Sequence, residues 1–400
     1  MRYRKLGKLN WDVSILGFGC MRLPTVKQKD KEIVDEAEAI RLIRYGIDKG
    51  INYIDTAWPY HQGSGELVVG KALKKEGYRK RVKLVTKSPV WEINNPEDFH
   101  TILDQQLERL QTDHLDIYLF HALNSRSFGK VKTLNLIKEA EKARKQGKFQ
   151  YLGFSFHDSF TTFKEIIDYY KWDVAQVQFN YVDTNFQATV KGLEYAASKN
   201  VQIIVMEPLR GGVLARTTPK IDSILKKASK PHSLVEWGLL FIWNQPEVAV
   251  VLSGMNAQEQ IDENLASADK AGIHSLSEED MNTIQLLQHE LKKKNLIPCT
   301  MCSYCMPCPH GVAIPHNFEW LNAISWTPEM EGRIRNIYNQ FAKSEDKLRE
   351  NPNSGASSLC VKCGECLPKC PQNIQIPDEM EKVKAVFENG EKIENLWNTS

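Results

Sequence analysis

Nine cysteines occur in the chain, and all but Cys20 fall in two short windows that share one spacing. The first window reads Cys299-x2-Cys302-x2-Cys305-x2-Cys308-Pro309; the second reads Cys360-x2-Cys363-x2-Cys366-x3-Cys370-Pro371. The echo runs past each fourth cysteine, as Pro309-His310-Gly311-Val312-Ala313-Ile314-Pro315 against Pro371-Gln372-Asn373-Ile374-Gln375-Ile376-Pro377. Thiolates at this spacing, with a proline after the last, wrap a [4Fe–4S] cube, and the last cysteine often serves the neighbouring cluster. Two such clusters are expected, with these eight cysteines as metal ligands. Zinc is the rival, because the first window ends in x2 where x3 is usual; zinc sites, however, generally draw on two separated pairs of ligands. Disulfides would suit an exported protein better than this one. Cys20 reads as a small packed side chain.

One-electron centres need a source or a sink of electrons, and the long stretch before the cysteines must supply it. That stretch is ordinary globular sequence: the whole chain is 42% apolar and 26% charged, as soluble domains are. A formal net charge of +2 gives no reason to expect nucleic acid or an anionic membrane as a partner. Met1–Ser14 lacks the apolar core of a signal peptide, and no apolar run reaches the length of a membrane span. A cytoplasmic protein is the expectation.

Short runs rich in Val, Ile and Leu recur at Ser14–Phe18, Asn52–Asp55, Val82–Thr86, Leu115–Leu119, Gln150–Phe154, Val174–Gln178, Gln202–Met206 and Val248–Leu252. They read as parallel strands buried on both faces. Amphipathic segments lie between them, including Glu38–Lys49, Pro96–Leu110, Thr133–Gln146 and Leu234–Trp243. Strand–helix units at this spacing predict an α/β protein, a (β/α)8 barrel over residues 1–285. An open doubly wound sheet is the alternative, weakened because no GxGxxG turn follows the first strand. Ser275–Asn295 reads as a closing helix, with Ser275 and Glu278 as a capping box and Lys292–Lys294 at its C-terminus. Residues 286–400 are expected to form a smaller, mainly helical ferredoxin-like domain, with helices at Asn317–Ile324 and Met330–Leu348 and a loop at Asn351–Ser358.

The active site of such a barrel lies at the C-terminal ends of its strands. Asp55 ends the second expected strand, with Tyr60 on the following loop; Lys87 ends the third, and His121 the fourth. Singly, each is an ordinary salt-bridged or packed residue; their significance lies in converging on one rim. Around them stand Gly17-Phe-Gly-Cys-Met21, Ala57-Trp-Pro-Tyr-His-Gln-Gly-Ser-Gly-Glu66, Leu107–His121, Gly147–Ser155 and Gln258-Glu-Gln-Ile-Asp-Glu-Asn264. In these motifs, taken in order, residues 1–285 strongly resemble the aldo-keto reductase family.

The resemblance implies an NAD(P)-dependent oxidoreductase that interconverts a carbonyl and an alcohol on a small substrate, with Asp55, Tyr60, Lys87 and His121 catalytic. The chemistry suits them. A phenol with its ordinary pKa of about 10 is a reluctant acid, and an adjacent ammonium favours the phenolate. Tyr60 would be the acid/base, Lys87 and Asp55 its tuning pair, and His121 the orienter of the substrate oxygen. Cofactor contacts implied by the resemblance fall on Gly19, Cys20, Met21, Asp55, Ser155, Gln176, Met206, Pro208, Leu209, Arg210, Gly211, Gly254, Asn256, Gln260, Glu263 and Asn264. Ser155 and Gln176 are the carboxamide-holding positions, and the glycine-rich turn with Arg210 would take pyrophosphate. The chain departs from the family's pattern at Phe156, where Asn is usual, and at Met206, where many members have a stacking aromatic. Ser253–Gln260 carries no lysine or arginine for a 2′-phosphate, which favours NAD over NADP.

Nicotinamide moves two electrons as hydride, whereas each cube accepts one. A flavin bound at the barrel mouth, or a ferredoxin or flavoprotein partner, would reconcile the two; structural clusters would remove the need. A redox-sensing or electron-transfer subunit with little reductase activity is the other functional reading. The loops Trp58–His61, Trp91–Pro96 and Ala122–Gly129 would shape the substrate pocket, with Trp91 and Asn124 lending it polarity.

Overall fold

The computed structural model describes residues 1–28, 31–75, 77–294, 296–342 and 355–397. Eight strands close into a parallel barrel: β1 (Leu16–Gly19), β2 (Tyr53–Asp55), β3 (Lys83–Ser88), β4 (Leu115–Leu123), β5 (Phe149–Phe156), β6 (Val174–Gln178), β7 (Gln202–Met206) and β8 (Val248–Ser253). Each strand lies beside the next in sequence, and β8 pairs with β1 through Val251–Leu16, Leu252–Gly17 and Ser253–Phe18. All eight expected strands are present, within two residues of the expected bounds at nearly every end.

The barrel's interior is filled by alternate residues, as the two-residue period of a strand requires. Tyr53, Val85, Ile117, Leu119, Val174, Ile204, Val250 and Leu252 form one buried apolar cluster. Leu6, Leu9 and Val13 join that cluster. They come from an N-terminal antiparallel hairpin, Tyr3–Lys5 with Asp12–Ser14, that the sequence reading did not foresee. Arg4 fastens this hairpin: its guanidinium donates to the carbonyls of Trp243, Gln245 (3.2 Å) and Val248 (2.5 Å). A second short hairpin pairs Thr25–Gln28 with Lys31–Val34.

Several helical expectations need correction. Two helices stand here, Ser125–Thr133, which was not expected, and Leu136–Lys145, which starts three residues later than the expected Thr133–Gln146 because Asn135 turns left-handed (φ 51°) between them. Asn124 caps the first of these, accepting from Ser127 N at 2.9 Å, so its amide is spent on the helix terminus. Ser275 makes no capping box: its hydroxyl donates to Gly272 O at 3.0 Å, and the helix begins at Glu278. The helices at Ile314–Trp326 and Glu331–Ala342 replace the expected Asn317–Ile324 and Met330–Leu348. Residues 343–348, the first half of the loop at 351–358, and Asn295 lie outside the described residues.

The chain divides into two compact units: Met1–Leu209 with Val235–Ser277, and Arg210–Leu234 with Glu278–Ser400. Within the second, helix Pro219–Lys227 meets helix Glu278–Lys294 through Lys220 and Glu290 at 2.8 Å, and the fully buried Asp280 accepts from Lys230 (2.5 Å) and Ser229 (3.2 Å). Removing the charged donor that ties the N-terminal hairpin to the barrel leaves backbone carbonyls unpaired. Arg4→Met should therefore lower stability by about 2–4 kcal/mol, read as a drop of several degrees in the thermal midpoint followed by circular dichroism.

Candidate active site

Asp55 and Lys87 point inward from neighbouring strands β2 and β3, one layer above the apolar filling. The Lys87 ammonium donates to Asp55 Oδ1 at 2.6 Å, to Thr56 O at 2.8 Å and to Tyr60 Oη at 3.2 Å. Lys87 is 1% exposed and Asp55 3%. Burial pushes the Asp55 carboxyl up, while Lys87 and a 2.9 Å bond from Gln176 Nε2 pull it back. The pair holds the Lys87 ammonium against the Tyr60 phenol, largely away from water.

Tyr60 sits in a tight turn in which His61 and Gln62 both have left-handed backbones (φ 53° and 56°). His61 anchors the turn, since its Nε2 lies 3.2 Å from Leu23 N and 3.1 Å from Cys20 O. The Tyr60 and His121 rings meet edge-on at 6.2 Å, and Trp91 lies 5.1 Å from His121. His121 is buried at the end of β4, and burial, then Lys87, then His157 hold its imidazole well below the usual histidine pKa. It is a neutral ring at neutral pH.

A second set of residues braces these from behind. Glu66, wholly buried, accepts from Thr86 Oγ1 (2.6 Å), Gln106 Nε2 (2.6 Å) and Arg109 Nη1 (3.4 Å). Gln106 also donates to Lys87 O at 3.0 Å, and the Arg109 guanidinium stacks 3.7 Å from the Trp58 ring centroid. Helices Gly65–Lys74 and Pro96–Leu110 approach closely enough for this only because position 70 is glycine: a Cβ there would run into Arg109 O. The network ties the loop bearing Tyr60 to the strand bearing Lys87.

The expected cofactor residues distribute as follows. Ser155 and Gln176 are register partners on β5 and β6. Ser155 Oγ accepts from Ala122 N at 2.8 Å, which leaves its O–H to donate. Gln176 turns its NH2 toward Asp55, which leaves its buried Oε1 without a partner. Met206 ends β7, half-buried against the interior cluster. Cys20 is fully buried, its thiol 3.9 Å from Phe18 O, so only its backbone is available to a ligand. After β8, Asn264 Nδ2 donates to Ser253 Oγ (3.0 Å), and Gln260 Oε1 accepts from Asn256 N (2.9 Å). The stem of Arg22 lies against Gly254, and Arg41, bound to Glu38 by two 2.7 Å hydrogen bonds, reaches Gln258 at 2.7 Å. Pro208 and Leu209 close the first unit, whereas Arg210 and Gly211 fall in the second.

In the second unit, the two cysteine loops repeat each other's backbone. Met301 and Ser303 are left-handed (φ 57° and 62°), and so are their counterparts Lys362 and Gly364 (56° and 77°); Gly311 and Asn373 match in the same way (78° and 53°). One cavity is lined by Cys299, Cys302, Cys305 and Cys370, and an adjoining one by Cys308, Cys360, Cys363 and Cys366, with Cys305, Ile314 and Ile376 on both walls. Among the described residues no three His, Cys, Asp or Glu side chains converge on a single ion; the thiols instead surround spaces, as ligands of a multi-iron cube do. Burial and neighbouring thiols push Cys305 up, and burial pushes up Cys370, and Cys366 to about 11. Crowded thiols of this kind need a cationic core before they ionise.

Residues 15–288 match the sequence model of the Aldo/keto reductase family. The chain belongs to the aldo/keto reductase family. Residues 298–375 match a 4Fe-4S dicluster domain, so this reductase barrel carries a ferredoxin-type module. Among relatives, the uncharacterized oxidoreductase YqkF of Bacillus subtilis (strain 168) is 27% identical over 317 residues, covering 71% of this chain and 96% of YqkF. L-galactose dehydrogenase of Arabidopsis thaliana is 26% identical over 309 residues, covering 72% and 95%. The structure of aldo-keto reductase AKR11C1 from Bacillus halodurans, holo form, matches with a TM-score of 0.60 at 26% identity over 72% of this chain and 96% of that one. No helix among the described residues is long and apolar enough to cross a membrane.

The sequence singles out the four residues that the structure brings together here, but of those that brace them it names His61 and Arg109 only inside longer motifs and Gln106 not at all. Glu66 was noted only as the end of a motif. The available signal was a polar residue on the apolar face of a helix, as Gln106 is between Leu103 and Leu107. Glu66→Ala would strand buried donors on Thr86, Gln106 and Arg109, and should lower stability by about 2–4 kcal/mol, with Glu66→Gln recovering much of the loss in a thermal melt.

Proposed function

We propose that this protein interconverts a carbonyl and an alcohol on a small substrate with a nicotinamide cofactor, and exchanges single electrons through two [4Fe–4S] clusters. The observation that carries the first half is one ammonium shared by a buried carboxylate at 2.6 Å and a phenol at 3.2 Å. When bound, the nicotinamide supplies or accepts hydride at the substrate carbon. The protein's part is the proton. In reduction, Tyr60 Oη gives its proton to the substrate oxygen, and Lys87 stabilises the phenolate left behind. Asp55 holds the Lys87 ammonium aimed at the phenol. His121, neutral and therefore able to donate one N–H, orients the oxygen.

The residues suit a nicotinamide: Ser155 keeps a donor and Gln176 an acceptor at the ends of adjacent strands, and both groups have capacity to spare. The lean is to NAD, because Ser253–Gln260 has no cation of its own and Arg41 is bound to Glu38, although the stem of Arg22 lies against Gly254 and brings one cation beside the stretch. The two cysteine-lined cavities suit two clusters, each taking three thiolates from one window and the fourth from the other. Their shared wall at Cys305, Ile314 and Ile376 sets them close enough for electron exchange. A flavin in the chain, or a ferredoxin or flavoprotein partner, would split the hydride's electron pair.

Steady-state oxidation of NADH with a panel of aldehydes and ketones tests the reductase reading. Tyr60→Phe should lower kcat by about 10²–10⁴-fold with little change in NADH affinity; equal rates for mutant and wild type would defeat the assignment. For the clusters, anaerobically purified protein should hold about eight irons and eight sulfides per chain, and its flavin content tells whether the pair is split on this chain or on a partner. In electron paramagnetic resonance of the reduced protein, Cys370→Ala should leave the same residual signal as Cys299→Ala, and Cys308→Ala the same as Cys360→Ala. The opposite pairing would mean that each window holds its own cluster.

A further inference from the structure

The inward-facing residues of β4 to β6 continue past the catalytic layer. On β4 they run Ile117, Leu119, His121, and on β6 Val174, Gln176, Gln178. On β5 they run Tyr151, Gly153, Ser155, and the next inward position is His157, whose N–H continues the ladder to Leu123 O at 3.0 Å. The register pairs Ser155 with Gln176 and Phe156 with Val177, so one further step sets His157 level with Gln178. Phe156 takes the opposite parity, and its ring packs outward on Phe163 of helix Phe160–Tyr169 at 5.0 Å.

His157 is 8% exposed, and its Nδ1 is buried without a hydrogen-bond partner. Leaving a buried ring nitrogen unsatisfied is costly. Burial, and more weakly Lys87, holds the ring's pKa down to about 4, while the neighbouring Gln187 amide favours its protonated form. At neutral pH the ring is therefore neutral; with its N–H on the Gln187 side, the Nδ1 lone pair is an acceptor.

Three unspent groups thus stand together at the ends of β5 and β6: the Ser155 O–H, a donor, and Gln176 Oε1 and His157 Nδ1, both acceptors. A primary carboxamide presents the complement, one carbonyl acceptor and two N–H donors. We infer that His157 is a cofactor-positioning residue that accepts one N–H of the nicotinamide carboxamide, while Gln176 accepts the other and Ser155 donates to the carbonyl. The assignment rests on the nicotinamide reading above. It gives a role to the position after Phe156, a residue committed to the outer core and unable to hydrogen-bond.

The test is equilibrium binding to the cluster-loaded full chain under anaerobic conditions, with NADH and with ADP-ribose, which keeps the nucleotide and lacks the carboxamide. In His157→Ala, and in the space-filling His157→Leu, the Kd for NADH should rise about tenfold, the loss of roughly one buried hydrogen bond, while the Kd for ADP-ribose stays unchanged. His157→Asn, which restores an acceptor, should return NADH affinity to within about threefold of wild type. An unchanged Kd for NADH in both apolar variants would overturn the inference, as would an equal weakening of both ligands. If the wild-type protein bound neither NADH nor NADPH, the nicotinamide reading itself would fall, and this assignment with it.

Discussion

The barrel is organised around one buried ion pair. Lys87 and Asp55 are nearly inaccessible to water, and an isolated charge in such a place would be strongly unfavourable. Their 2.6 Å contact, the Thr56 carbonyl and the Gln176 amide together satisfy most of what dehydration removes. Removing one partner from a buried pair typically costs about 3–5 kcal/mol, so the surrounding structure must keep both in place. Neighbouring strands β2 and β3, a largely apolar layer beneath, and the bond from Gln106 to the Lys87 carbonyl meet that requirement. A buried ammonium is costly as structure and useful as chemistry, since its pull on a neighbouring group is screened less there than in water even with a carboxylate beside it. Tyr60 is what stands next to it.

Burial first, and the same field after it, account for the imidazoles. His121 and His157 are both buried, and Lys87 adds to burial in holding them neutral. Neutral rings keep one donor and one acceptor nitrogen each, whereas protonated rings would be donors only and would crowd a second and third positive charge into the rim. One cation and two neutral imidazoles is therefore the arrangement that can both polarise a phenol and read a ligand's hydrogen-bond pattern.

How much of this was legible in the sequence depended on the range over which each feature is encoded. The eight strands were readable because strands buried on both faces need runs of Val, Ile and Leu, as in Val248–Leu252. The rim residues were readable because strand ends in this fold face one mouth. The cysteine loops were the most legible of all: ligand spacing and backbone are set within a few residues, and the repeat extends to matching left-handed positions at Met301 and Lys362. What escaped was encoded at long range or in competing local options. Glu66, Thr86, Gln106 and Arg109 meet only when two helices dock at Gly70. Ser275 had two partners within reach and took Gly272 over the helix N-terminus. Asn135, tolerant of a left-handed backbone, delays to Leu136 a helix that periodicity alone would begin at Thr133.

The two units answer different demands with different kinds of rigidity. The rim around Lys87 holds its groups at hydrogen-bond distances, and it does so by bracing from elements distant in sequence. A cluster site makes its own scaffold: the metal core supplies the cross-links, so the chain has only to present thiols on short loops anchored by the paired helices Ile314–Trp326 and Ile376–Phe387. Exchange of one cysteine between the windows would lock the two halves of the repeat together, because neither cavity then has a full ligand set without the other's loop. The apolar residues shared by both walls, Ile314 and Ile376, occupy the same place in each half of the repeat. A module of this kind draws on two sources of cohesion, an apolar cluster that includes Phe318, Leu321, Met380 and Val383, and the metal cores that its repeated loops would bind.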